Sequence, residues 1–379
     1  MTTGWTDDFL DEMRRIGDPA ADDLVRRLFA GNDVAAANRA LRSFIRNDDD
    51  VPAELPDEVR AFLAKSAELP AWADPVRLAR AAVFFEAHAL LISVVLACYA
   101  LPVCYAARKG VQVLHRTGLL RKDVMRRLLD TTQMVHDVMA EGGLGPGGCG
   151  VASAQKVRLR HAAVRHLLVT SPAGFSPELG APINQEDLAG TLMSFSYVVL
   201  DGLAKLGVPA SAEESDAYVH AWSVIGHLMG LRDELLPRDL AEAEALTRAI
   251  QRRQIAVSEE GRAFARALVE VMQEVVPGEA FDGLPASMMR HFMGDEIADL
   301  LGIPASDWTA TVFTGGRWLS RTFGRLLDRS AIMTAFAQQL GRGYLGALAY
   351  GNHRGKRPAF AIPRALSAHR DPDSAPLSV

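Results

Sequence analysis

The amino-acid sequence predicts an all-α protein. Apolar residues recur at helical spacing along most of the chain, and charged residues occupy the opposite faces. Asp and Pro begin several of these segments, as in Asp18-Pro19 and Pro56-Asp57, which is typical of helix starts. No segment alternates convincingly at the two-residue period of a strand, so no sheet is expected.

The predicted helices fall into an N-terminal layer and a larger domain. Short amphipathic helices are predicted over residues 6–16, 18–30, 34–46 and 56–67. We expect residues 1–69 to pack on the outside of a helical domain formed by residues 70–350. The helices predicted for that domain are 75–107, 121–140, 152–169, 187–206, 213–231, 238–254, 257–275, 285–301 and 306–340. Residues 351–379 contain several prolines and no helical stripe, so an extended or mobile tail is expected.

Composition restricts the class of protein. The chain has 379 residues, with 41 basic and 46 acidic side chains, and this balance does not favour nucleic-acid binding. Cys98, Cys104 and Cys149 are an odd number without framework spacing, which favours a reducing compartment over structural disulfides. The N-terminus is polar and acidic and does not resemble a secretion signal, so a cytoplasmic location is expected.

One stretch has the composition of a membrane span. The segment Ala89–Ala107 contains no Asp, Glu, Lys or Arg, and its length is close to the minimum for crossing a bilayer. Ser93, Tyr99 and Pro102 interrupt its apolar character. A buried core helix is the favoured alternative, and no stable membrane span is expected.

The segment Lys156–Leu168 carries the strongest functional signal. Winding it as a helix at about 100° per residue places five residues on one stripe, with Arg158 at its edge. The stripe consists of Val157, His161, Val164, Arg165 and Leu168. Burying charge without partners is costly, so this face is expected to meet an anion or a metal. Heme would provide both, with an iron for the imidazole and propionates for the arginines.

Less specific interpretations of these residues remain open. A lone His on an apolar face is often a core residue with a satisfied hydrogen bond. Arg158 and Arg165 could instead form ion pairs with acids on a neighbouring helix, such as Glu186 or Asp187.

The motif Arg158-x-x-His161-x-x-x-Arg165 resembles the signature of the rubber oxygenase (latex clearing protein) family and its wider relatives, including the fungal mycophenolate-pathway oxygenase. The resemblance extends from about Pro70 to Tyr350. Further segments match in order: Arg127–Val135, Ile183–Leu192, Ala221–Gly230 and Arg290–Asp295. It implies a globin-like helical core around a b-type heme, with His161 as the proximal iron ligand. It also implies oxygenation of a small hydrophobic, possibly isoprenoid-like, substrate with O₂ and an unknown electron donor.

The same resemblance suggests roles for other residues. It implies a catalytic distal wall formed by Arg127, Asp130 and Thr131, in which we expect, from the residue types, that Asp130 relays a proton and that Thr131 donates a hydrogen bond. It also implies contacts of Thr191 and Arg290 with the heme, in addition to those of the motif arginines. Alternatively, Arg127 and Asp130 form a surface ion pair, Thr191 belongs to a helix start, and Arg290 forms an interhelix ion pair.

The sequence departs from the rubber oxygenases at two places. Asp130 stands where those enzymes carry Lys, and no Glu lies beside Val111 and Gln112, near the position of their acidic catalytic residue. We therefore expect no cleavage of polyisoprene. Two alternatives remain: a non-catalytic heme carrier or gas sensor, and a heme-free helical protein with an anion site at His161.

Overall fold

The structure is all-helical. A computed structural model describes residues 4–117, 122–275, 283–305 and 362–366, except for the side chains of 122–129 and 274–275. These residues form fifteen α-helices and no strand, with one isolated β-bridge between Ala107 and Ile255. The all-α prediction is confirmed. The helices are α1 Asp7–Met13, α2 Pro19–Ala30, α3 Val34–Leu41, α4 Asp57–Ser66, α5 Pro75–Val95, α6 Leu101–Ala106, α7 Val111–Arg116, α8 Lys122–Met139, α9 Gly150–Thr170, α10 Gln185–Phe195, α11 Tyr197–Lys205, α12 Ala212–Leu228, α13 Leu240–Gln254, α14 Glu259–Val275 and α15 Leu284–Leu300.

Side-chain caps fix several helix starts. Asp18 accepts a hydrogen bond from the backbone N–H of Ala21, and Pro19 occupies the first turn of α2. Asn184 caps α10 by accepting a hydrogen bond from the backbone N–H of Asp187 at 2.9 Å. These caps satisfy N–H groups that have no partner inside the helix, which explains why Asp, Asn and Pro mark the starts.

Several helices differ from prediction. The predicted helix 187–206 is broken at Ser196 (φ −101°, ψ −90°), which separates α10 from α11. The predicted helix 75–107 contains a π-helical turn, Leu96–Ala100, between α5 and α6. The helix α7 was not predicted, because its six residues are too few to establish a period. The predicted helix 306–340 lies outside the described residues.

Helix α9 is buried from two sides. On one side Leu159, Ala162 and Ala163 belong to a small core shared with α2, α3 and α4. Ile362 joins that core, and its backbone N–H donates to Asn38 Oδ1 at 2.7 Å. On the other side α9 faces the main core. The N-terminal helices therefore cover one face of α9 and leave its opposite face to the interior of the larger domain.

The apolar segment Ala89–Ala107 belongs, except for its last residue, to a continuous helical stretch, Pro75–Ala106. By length and composition it is the one helix among the described residues that could cross a membrane. Just over half of its most apolar window is buried inside the protein. The stretch packs against α12 and supplies one wall of the cavity described below, which is the behaviour of a core helix.

Candidate active site

A cavity of about 800 Å³ lies within the main core. Its walls come from α5, α6, α7, α8, α9, α10, α12, α13 and α14, and most of the lining side chains are aliphatic. Polar groups occur at a few places, including Asp130, Thr131, Arg160, His161, Asp187 and Gln254. This size, together with an apolar wall carrying a few polar groups, is typical of a small-molecule site.

Helix α9 presents Val157, Arg160, His161 and Val164 to this cavity. These residues follow the spacing of one helix face. His161 is half-buried and lines the cavity. Its Nδ1 is buried without a hydrogen-bond partner among the described residues.

The electrostatic surroundings keep His161 neutral. Burial, with smaller contributions from Arg165 and Arg160, lowers the pKa of His161 to about 3. At neutral pH the ring therefore carries no charge, which is the form that coordinates metals. No group of three or more His, Cys, Asp or Glu in the described part of the chain could hold a metal ion by itself. A neutral imidazole that lines a largely aliphatic cavity, with Nδ1 unpaired among the described residues, fits a heme, since porphyrin iron needs few ligands from the protein.

The other two residues of the motif turn away from the cavity. Arg158 donates from Nε and Nη2 to the two carboxylate oxygens of Asp18, at 2.5 and 3.0 Å. Arg165 donates from Nε to Asp22 at 2.6 Å and from Nη1 to the carbonyl of Ile183 at 3.1 Å. Their acidic partners, Asp18 and Asp22, lie at the start of α2 and are not Glu186 or Asp187. Both arginines therefore fasten α9 to α2.

The arginine that does line the cavity is Arg160, which sequence analysis missed. Its Nη1 donates to Asp130 Oδ2 at 3.1 Å across the space between α9 and α8. Asp130 and Thr131 also line the cavity, so the structure brings both together with His161. The Arg127 side chain lies outside the described residues. One feature of the sequence could have identified Arg160 as a cavity residue: it follows Val157 by three positions and therefore lies close to the same helix face.

A buried polar network closes the cavity at the start of α10. The fully buried Glu186 carboxylate accepts hydrogen bonds from Arg14 Nη1 (3.0 Å), Gln254 Nε2 (2.8 Å) and Arg253 Nε (2.8 Å). Asp187 accepts from the same Arg14 nitrogen at 3.0 Å. Burial raises the pKa of Asp187, and Arg14 opposes this shift. The network joins the N-terminal segment, α10 and α13.

Thr191 and Arg290 lie in different surroundings. Thr191 lines the cavity, and its hydroxyl donates to the Asp187 carbonyl in its own helix at 2.8 Å. Arg290 is not among the described residues that line the cavity. It donates to Asp295 at 3.0 Å and to Asp299 at 2.8 Å, and so connects the two halves of α15 across the kink at Gly294. The structure therefore brings Thr191, but not Arg290, to the cavity.

Comparison with known proteins assigns the chain to a family. The family model for "ER-bound oxygenase mpaB/B'/Rubber oxygenase, catalytic domain" matches residues 81–325. The chain belongs to this family of oxygenases. The rubber oxygenase of Streptomyces sp. (strain K30) is 28% identical to it over 296 residues, which cover 76% of this chain and 71% of that protein. The region matched by the family model, residues 81–325, includes the candidate site residues Asp130, Thr131, His161 and Thr191.

A solved structure shows the same fold. The structure of latex clearing protein LCP in the closed state matches with a TM-score of 0.75 and 25% identity, over 88% of this chain and 91% of that one. The resemblance inferred from the Arg158/His161/Arg165 motif is thus confirmed at the level of family and helical architecture.

Proposed function

We propose that this member of the rubber oxygenase family is a heme b-dependent oxygenase that acts on a small hydrophobic substrate. Family membership supports the oxygenase class. The observation that carries the heme assignment is the neutral, cavity-facing imidazole of His161 in an otherwise largely aliphatic wall. In this proposal the helices around the cavity form a globin-like core, and His161 ligates the heme iron on the proximal side.

The residues around the cavity have separate tasks in this proposal. Heme b, when bound, supplies the redox chemistry with O₂. The aliphatic wall binds an apolar substrate and excludes water. The Asp130 carboxylate, held by Arg160, holds or passes a proton at its oxygens, and the Thr131 hydroxyl donates a hydrogen bond. Arg158 and Arg165 orient the imidazole through their ion pairs with α2.

The substrate is proposed to be a small molecule and not polyisoprene. Asp130 cannot supply the amine that a Lys provides, and its carboxylate is already paired with Arg160. A molecule of up to a few hundred Å³ beside the heme is consistent with the cavity volume and with its aliphatic lining.

The absorption spectrum of the purified protein, as isolated and after titration with hemin, tests this function. We expect about one heme b per chain and loss of axial histidine ligation in His161→Ala. His166→Ala is the matched control, because His166 lies on the same helix but packs against Phe29 of α2, with ring centroids 4.5 Å apart. Failure of the wild type to bind hemin, or an unchanged spectrum in His161→Ala, contradicts the assignment.

Turnover distinguishes the oxygenase from its non-catalytic alternatives. With a reductant and a panel of unsaturated hydrophobic compounds, we expect O₂ consumption to depend on both heme and substrate. A stable heme complex that consumes no O₂ with any of them identifies a carrier or sensor instead.

A further inference from the structure

The cavity contains a cation that the motif does not include. Among the described residues that line the cavity, Arg160 is the one permanently charged cation. It follows Val157 by three residues and directly precedes His161 on the face of α9 that borders the cavity.

Arg158, Arg160 and Arg165 differ in how deeply their ion pairs are buried. Side-chain exposure is 14% for Arg158 and 5% for Arg165, but 32% for Arg160. Arg158 donates two hydrogen bonds to Asp18. If Arg158 turned to another anion, the buried Asp18 carboxylate would lose both of these charge-assisted hydrogen bonds. Arg160 and Asp130 are both partly exposed and both line the cavity, so a second carboxylate can approach the Arg160 guanidinium without breaking a buried ion pair.

Arg160 also has the chemistry required of a carboxylate-binding residue. A guanidinium presents five N–H donors in a planar fork that matches a carboxylate. Its contact with Asp130 at 3.1 Å shows that a carboxylate fits against it in this wall. An amphiphilic occupant of the cavity needs such a cation for its acidic end, since the rest of the lining is mostly aliphatic.

We propose that Arg160 is the carboxylate-binding residue of the cavity and, resting on the proposed heme function, that it binds a heme propionate in the loaded protein. Arg158 and Arg165 then serve to hold α9 in place. A carboxylate on the substrate has the same chemistry, and the experiment below separates the two sources.

The test compares two porphyrins that differ at their propionates, which are anionic in one and methyl esters in the other. Apoprotein is titrated with hemin and with hemin dimethyl ester, whose propionates are neutral, and the Soret absorption gives a Kd for each. A charge-assisted hydrogen bond predicts that the wild type prefers hemin by about tenfold or more. Arg160→Leu is expected to bind both with similar Kd, and Arg160→Lys to retain part of the preference.

Arg248→Leu is the matched control. Arg248 also forms an ion pair with one acid, Glu244, but it is exposed and lies outside the cavity lining, so the tenfold preference should persist. Circular dichroism establishes whether each variant folds. If Arg160→Leu does not, Arg160→Gln replaces it, because it keeps a long polar side chain without the charge.

The outcomes separate the inference from the function on which it rests. A folded Arg160→Leu that keeps the wild-type preference for hemin overturns the role of Arg160 while leaving the heme assignment intact. A wild type that binds neither porphyrin refutes the proposed function.

If the wild type binds both porphyrins equally, binding of a long-chain fatty acid is compared with binding of the corresponding alcohol. A preference for the acid that disappears in Arg160→Leu assigns the carboxylate to the substrate. No such preference overturns the proposal.

Discussion

The Glu186 network offers a direct test of how the cavity is held together. Glu186 is completely buried and accepts three hydrogen bonds, two of them from arginines that lie on different segments. In Glu186→Gln, one carboxylate oxygen becomes an NH₂ group that faces donors. Arg14 keeps its contact with Asp187, so the substitution removes at least one or two charge-assisted hydrogen bonds. At about 1.5–3 kcal/mol each, the expected loss in free energy of unfolding is about 1.5–3 kcal/mol for one bond and about 3–6 kcal/mol for two.

Urea denaturation followed by circular dichroism measures this loss. We expect a lower midpoint for Glu186→Gln with an unchanged dependence on urea concentration. Glu244→Gln is the control, because Glu244 forms an exposed ion pair with Arg248 that is worth about 0.5 kcal/mol. A cost below about 1 kcal/mol for Glu186→Gln would show that this network does not hold α10 in the way its geometry implies.

Two further predictions concern the frame of the cavity. Gly230→Ala should lower the free energy of unfolding more than Gly174→Ala does. Both glycines have positive φ, but a Cβ at Gly230 would lie 2.5 Å from Asp18 Oδ2, whereas a Cβ at Gly174 would meet no atom within 4 Å. Equal losses in thermal or urea melts would exclude crowding of the Arg158–Asp18 pair. Burial lowers the pKa of His220 to about 4, and its Nε2 accepts a hydrogen bond from the backbone N–H of Asp74 at 2.9 Å. Its stabilising contribution is therefore present above the unfolded value of about 6.5 and is lost as pH falls toward 4. Wild type should lose more stability between pH 7 and 5 than His220→Gln, by on the order of 1 kcal/mol after allowance for solvent screening, and parallel pH profiles would contradict this.

The sequence predicted the helical class and the surroundings of His161 because both follow from local patterns. Capping residues and apolar periodicity act over a few residues, and Asp18 and Asn184 begin helices as their type predicts. Of the predicted stripe on α9, Val157, His161 and Val164 line the cavity, whereas Arg165 and Leu168 do not and the unpredicted Arg160 does. Helix α9 is packed on two sides, so its apolar residues do not single out one face.

Contacts between distant segments could not be predicted from the sequence. Arg14 and Glu186 are 172 positions apart, and Asn38 and Ile362 are 324 apart. A single sequence contains no signal that joins such pairs, since any exposed acid is an equally good partner for an arginine before the chain is folded. The sequence accordingly suggests Glu186 or Asp187 as ion-pair partners of Arg158 and Arg165, whereas the structure pairs these arginines with Asp18 and Asp22.

The spacing of the motif follows from these contacts. Residues 158 and 165 are seven apart, so at about 100° per residue they lie within about 20° of each other on α9 and can both reach α2. His161 lies about 50° away from their mean direction, on the side that borders the cavity. Buried ion pairs contribute little net stability but are costly to break, so a helix fastened at two points two turns apart cannot rotate about its axis. The two arginines thereby fix the direction of the imidazole between them, although neither is among the described residues that line the cavity. Under the proposed function, this is their contribution to iron binding.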